Sequence, residues 1–245
     1  MKILTSKGWL RPAERLANSI EEITGEFVRI ITSPYNLEEG DKFIRYGNAS
    51  PIPYYYVEET KYNTPEFIGL CCNKLRFSNV VKSLGIRTPE FFTTTENLIF
   101  PMLIRTSLFL SGGRGIIPVK NEDDFYKNFS YEYYWTPFIY SEKEFRVHVL
   151  GGKVAKTYEK VPLEKEDELP IRSLKSCRYM SNNDYDSEIQ NLVDKLSTII
   201  GTENYYGLDI GICPDGEFVV YENNSAPGIG EMTSKIYAEF FVENL

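Results

Sequence analysis

The sequence is poor in the residues that most enzymes use as nucleophiles and metal ligands. It has one histidine and four cysteines in 245 residues. His148 lies in the strand-like run FRVHVLGG with no nucleophile elbow near it, so a Ser-His-Asp or Cys-His mechanism has no support. A strand residue with a satisfied ring is expected there. Cys71, Cys72, Cys177 and Cys213 form no C-x-x-C pair and have no histidine at zinc spacing, so reduced, structural thiols are expected. No apolar run approaches the ~18 residues that cross a bilayer, and MKILTSKGW lacks the long apolar core of a secretory signal. A cytoplasmic protein without a membrane partner is the expectation. Positive charge is also scarce: 27 Lys and Arg against 35 Asp and Glu leave a net charge of -8. A nucleic-acid backbone as main partner is therefore not expected. The remaining composition, 42% hydrophobic and 25% charged, is that of a globular chain able to form one large domain or two to three lobes.

Residues 2–6 read as a strand. Residues 12–24 read as a helix, with Ala13, Leu16, Ala17, Ile20 and Ile23 on one face and Gly25 as its stop. With a strand at 27–31 this is a βαβ-like opening and predicts a small parallel sheet. No G-x-G-x-x-G fills its first turn, so there is no dinucleotide fingerprint. FIRYGN (43–48) and the run YYYV follow.

Asn73 then reads as the N-cap of a helix with Phe77, Val80, Val81 and Leu84 on one face, ended by Gly85. Two strands, Met102 to Thr106 and Ile116 to Val119, flank a loop with Ser111, Gly112, Gly113, Arg114 and Gly115. Such a loop can fold its N-H groups over phosphates, but it is no Walker A loop, because no Lys-Ser/Thr and no helix follow. A short helix (121–129) and the aromatic run YEYYWTPFIY come next. EFRVHVLGGKVAKTYEKV reads as a hairpin turning at Gly151-Gly152. Residues 162–186 are polar and aperiodic, which in a compact domain points to a functional or mobile segment. A helix over 187–200 leads to YYGLDIGICPDGEFVVYENNSAPGIG.

That last stretch predicts a strand (206–213), a turn at Pro214-Asp215-Gly216 and a second strand (217–221). Asp209 lies on the first strand, with Glu222 and Asn224 just past the second. Three hard oxygen donors converging there suit Mg²⁺, which keeps waters and shares positions with nucleotide phosphates.

Taken in order over residues 63–235, these features resemble the ATP-grasp ligases, of the glutamate-adding and D-alanine-D-alanine ligase-like kind. The resemblance implies an α/β (α+β) ATP-grasp fold, with lobes at 1–65, 66–135 and 136–245. It implies ATP bound by Lys74, by Arg105 where the family usually has lysine, and by Ser111, Gly112, Gly113 and Gly115. The hinge Thr136, Pro137, Phe138 and Ile139 would meet the adenine, and Glu144 the ribose. Asp209, Glu222 and Asn224 would hold Mg²⁺, with Mn²⁺ as an alternative. Arg146 and Arg172 would act on the reacting phosphate, with Arg178 the other candidate for the second role. The implied reaction joins a small-molecule or peptide carboxylate to an amine through an acyl phosphate. A hydroxyl kinase and a non-catalytic nucleotide-binding module are the alternative readings.

Overall fold

The computed structural model describes residues 1–52, 62–110, 112–165, 167–173 and 175–244. Ser111 and the run YYYV (54–57) lie outside the described residues.

The opening forms the expected parallel sheet, from β1 (Lys2–Thr5), α1 (Leu10–Thr24), β2 (Arg29–Ile31) and β3 (Phe43–Tyr46), in the order β2-β1-β3. The central strand KILT is buried throughout, as a parallel strand covered on both faces must be. Ala13, Leu16, Ala17 and Ile20 give α1 its buried stripe, and Gly25, at φ 71°, ends it in the left-handed conformation.

Next comes α2 (Pro65–Cys72), which sequence periodicity had not announced. The Thr64 side chain caps it by accepting from Phe67 N, and Pro65 occupies its first position. Asn73 separates it from α3 (Lys74–Ser83) and caps that helix in turn by accepting from Arg76 N at 3.1 Å.

A small antiparallel sheet follows, β4 (Met102–Arg105), β5 (Ile116–Val119), α4 (Glu122–Asn128) and β6 (Tyr134–Pro137), in the order β5-β4-β6. Met102, Ile104, Val119, Phe125 and Trp135 form its core. The alternation of a strand therefore turns Leu103 and Arg105 to the opposite face.

The largest sheet is antiparallel and carries β7 (Lys143–Leu150), β8 (Lys153–Pro162), β9 (Cys177–Ser181), then α5 (Asp186–Ile200), β10 (Tyr205–Ile212) and β11 (Phe218–Asn224). Its order is β11-β10-β7-β8-β9. One face packs on α2, α3 and α5 through Phe67, Val81, Val147, Ile189, Leu196, Leu208 and Val220. The chain ends its described part in α6 (Glu231–Asn244), also unannounced, which shares a core with α1 through Leu16, Ile20, Tyr237 and Phe241.

Three expectations need correction. Ile23, expected on the apolar face of α1, is 46% exposed in the helix's last turn. Residues 177–181, inside the segment expected to be irregular, form β9 as an edge strand on β8. Glu222 and Asn224 lie within β11, not past its end, because the ladder with β10 continues to Gly207↔Asn224.

Candidate active site

The largest sheet carries an unbroken polar row. Glu222, Asp209, Arg146, Tyr158 and Ser181 stand opposite one another from β11 to β9. Two β-bulges create this alignment, and each inserts one extra residue that re-aims everything beyond it. Tyr221 is the extra residue in β11, so Asp209 meets Glu222 and the tyrosine turns into the cleft. Ala155 is the extra residue in β8, so His148 meets Lys156, and the next polar pair along the strands is Glu144 with Lys160.

Asp209 is 4% exposed and accepts from Arg146 through both oxygens, at 2.7 Å from Nε and 2.8 Å from Nη2. The ammonium of Lys160 lies 3.2 Å from the same carboxylate and 3.5 Å from Glu144. Burial works against an ionised Asp209, but the facing Arg146 and Lys160 outweigh it and hold the carboxyl well below the usual carboxylate range. Burial likewise opposes charge on Arg146 and Lys160, and Asp209 outweighs it, so both cations are held above their ordinary values. Glu144 is pushed up by burial despite Lys160 and Arg172.

Between this row and the small sheet lies a cleft of about 720 Å³ including its open mouth. Arg105, Gly113, Thr136, Pro137, Phe138, Ile139, Glu144, Arg172, Asp209 and Glu222 line it, so most of the residues expected from sequence meet in one place. Arg105 Nε and Thr136 Oγ1 are buried with no hydrogen-bond partner among the described residues. Burial pushes the Arg105 guanidinium down, with Tyr134 and Glu222 opposing. Unsatisfied donors of this kind inside a cleft are what a bound ligand would complete.

The hinge is narrower than expected. Phe138 N–H donates to Pro101 O at 2.9 Å and Pro137 has none, while Ile139 O accepts from the Tyr221 hydroxyl at 3.3 Å. The N–H of Ile139, unpartnered among the described residues, is the hinge donor left for a ligand.

The glycine loop holds Gly112, Gly113 and Gly115 at φ 67°, 75° and 68°. At Gly115, φ 68° strains any side chain, and a Cβ would also crowd the Thr106 hydroxyl and meet Leu110 Cδ1 at 2.7 Å. Gly113 touches the cleft, whereas Gly112 and Gly115 do not line it.

Lys74 and Asn224 face an adjoining recess shared with Arg114. They join the site through Glu222, whose carboxylate pairs with the Lys74 ammonium and accepts from Asn224 Nδ2 at 3.3 Å. Arg172 is already turned inward, donating to Ser141 O at 3.2 Å and lying 4.0 Å from Glu144. Pro170 and Ile171 beside it roof the cleft against the glycine loop. Arg178 is exposed on β9 and does not line the cleft.

Lys160 was not anticipated. A plain two-residue hairpin turning at Gly151-Gly152 would set Glu159, not Lys160, against Glu144. The buried lysine becomes visible only once the bulge is known.

The described residues hold no group of three or more His, Cys, Asp and Glu suited to a metal. Asp209, Glu222 and Asn224 instead offer two facing carboxylates and an amide. That hard set fits a divalent cation completing its shell with waters and phosphate oxygens.

No protein-family model and no curated protein matches the chain. Solved structures do. The ATP-grasp ligase PsnB, complexed with a minimal precursor, matches with a TM-score of 0.69 at 11% identity, over 100% of this chain and 99% of that one. The macrocyclase MdnC, bound with precursor peptide MdnA from Microcystis aeruginosa MRC, gives 0.66 at 13% identity over 99% of both chains. D-alanine–D-alanine ligase from Bacillus anthracis, complexed with ATP, gives 0.66 at 13% identity over 99% and 95%. The chain has the ATP-grasp fold.

Proposed function

We propose that this chain, with its ATP-grasp fold, is an ATP-dependent carboxylate–amine ligase. The observation that carries the reading is the charge pattern of the cleft. Arg105, Lys160 and Arg172 line it with Glu144, Asp209 and Glu222, and Lys74 and Arg146, paired to Glu222 and Asp209 from the adjoining recesses, raise the cations to five against three carboxylates in a protein whose net charge is -8. A triphosphate would offset that surplus. The Ile139 N–H and the Leu103 side chain would receive the adenine, and Glu144 the ribose.

The reaction begins when a carboxylate oxygen bonds to the γ-phosphorus and the bridging P–O bond breaks, its electron pair leaving on ADP. An amine nitrogen then bonds to the acyl carbon. Phosphate leaves with the C–O electron pair, and the nitrogen's proton passes to solvent. No protein nucleophile is required, so positioning and charge neutralisation supply the rate. Arg105 and Lys74 would grip phosphate oxygens, with the loop amides at Gly112, Gly113 and Gly115. Arg172, fixed under the roof segment, would stabilise the transferring phosphoryl charge. Asp209, Glu222 and Asn224 would hold Mg²⁺ or Mn²⁺, which supplies further neutralisation of phosphate charge. Since MdnC is bound with a precursor peptide and PsnB with a minimal precursor, a peptide carboxylate is a candidate substrate beside a small molecule. No described helix is long and apolar enough to cross a membrane.

Hydroxylamine trapping tests the reading. With ATP, Mg²⁺ and a panel of carboxylates, a hydroxamate should form together with ADP. A stable phosphate ester on a hydroxyl substrate, with no hydroxamate from any carboxylate, would make the protein a kinase instead.

A further inference from the structure

On the far side of the Arg146–Asp209 pair lies a second cavity, about twice the size of the nucleotide cleft (about 1520 against 720 Å³, open mouths included). The polar row crosses into it, since Arg146, Tyr158 and Ser181 line this cavity, whereas Asp209 and Glu222 line the cleft. Arg146 is therefore the boundary between the two. Its Nε and Nη2 are committed to Asp209, and Nη1 has no partner among the described residues.

The walls divide by chemistry. Trp9, Tyr158, Tyr179, Ile229 and Met232 make an aromatic and aliphatic lining, and Met232 is 64% exposed at the start of α6. His148 adds a neutral ring, because burial, with Arg146 beside it, pushes its pKa down to about 3. The charges are Arg11, Arg15 and Arg146 against Glu231. Arg15 is anchored by a 2.8 Å bond from Nη1 to Ile229 O, which fixes its guanidinium on the cavity wall. A large apolar pocket with a surplus of guanidinium groups suits an anion carrying a bulky apolar group.

The geometry points to the acyl donor of the proposed ligase as a carboxylate bearing an aromatic side group, held with its carboxylate toward Arg146 and its ring among Trp9, Tyr158 and Met232. This rests on the ligase reading for the fate of the carboxylate, but not for the binding itself. The placement sets the carboxylate at the wall shared with the phosphate site, where its oxygen can attack the γ-phosphorus as written above. An aromatic amino acid and the aromatic C-terminal residue of a peptide share this chemistry.

Calorimetry with 3-phenylpropionate, propionate and 3-phenylpropylamine tests the binding, with a non-hydrolysable ATP analogue present. 3-Phenylpropionate should bind at least tenfold more tightly than either comparison compound. Met232→Glu, at an exposed position that tolerates charge, should weaken it at least fivefold while leaving affinity for the ATP analogue unchanged. Trp9→Ala should act in the same direction. Equal affinities, or tighter binding of the amine, would overturn the inference. Hydroxamate assays with phenylalanine, Gly-Gly-Phe, alanine and glutamate then separate the two readings. Aromatic carboxylates giving the most hydroxamate would support both, and the better of the first two identifies the source. Hydroxamate from alanine or glutamate alone would overturn the aromatic donor and keep the ligase. Tight 3-phenylpropionate binding with no hydroxamate from any carboxylate would keep the cavity's chemistry and overturn the ligase.

Discussion

Lys74, in the first turn of α3, pairs with Glu222 on β11, 148 residues away in sequence. This ion pair ties α3 to the carboxylate proposed to hold the metal. In Glu222→Gln the side chain still offers an oxygen to Lys74, so the fold should persist and only charge is removed. Turnover should fall at least about a hundredfold, or roughly 3 kcal/mol of transition-state stabilisation. ADP release, with a melting curve as control, checks this. Turnover like that of the unmodified protein would move the metal elsewhere.

Mg-ATP should raise the melting temperature and EDTA should abolish the rise, because a ligand that binds only the folded state stabilises it by mass action. The facing Asp209 and Glu222 and the unsatisfied Arg105 motivate the expectation. A shift unchanged by EDTA would argue against a metal-assisted nucleotide site.

Lys160→Met should destabilise the fold by about 3 kcal/mol, since it strips a buried counter-charge from Asp209 and Glu144 together. Urea unfolding measures the loss. Adding Glu144→Gln should restore part of it. If the double variant is less stable than the single one, the two side chains do not oppose each other as described.

His148 is buried as a neutral ring, its Nδ1 3.0 Å from the Tyr237 hydroxyl, with its pKa pushed down to about 3. In the unfolded chain it titrates near ~6.5. The folded value is the lower one, so this contribution is complete above pH 6.5 and is lost as pH falls toward 3, at about 1.4 kcal/mol per unit. Between pH 7.5 and 5 the loss is about 2 kcal/mol. His148→Gln should flatten the acid limb of stability by that amount, measured as denaturation midpoints at the two pH values. Parallel limbs would contradict the assignment.

Arg172→Ala should lower kcat more than it weakens ATP binding, because the guanidinium is held by Ser141 O and Glu144 beneath the roof segment. Steady-state kinetics beside analogue titration separates the two effects. A matching rise in the dissociation constant, with kcat unchanged, would make Arg172 a ground-state ligand only.

The parallel opening sheet, α3 with its Asn73 cap and the glycine loop were legible because each rests on local signals: periodicity, a capping side chain, turn glycines. That Asp209, Glu222 and Arg105 come to one cleft was legible through chain order. Lys160 and the row through Arg146 were not, since both bulges depend on packing across strands and a one-residue shift exchanges which side chains meet. The strand character of Glu222–Asn224 was hidden for a related reason. Its residues are polar, and the ladder to Gly207–Asp209 holds them. α2 and α6 alternate apolar and polar positions weakly, and tertiary packing secures them instead.

The core shared by α1 and α6 also orders events on the ribosome. Ser19 and Ser234 share a buried hydrogen bond of 2.9 Å across 215 residues, so the opening lobe keeps an apolar face uncovered while the two antiparallel sheets are still being synthesised. That lobe is made early and finished late. The face of α1 that meets α6 is what a nascent-chain chaperone would hold until α6 emerges.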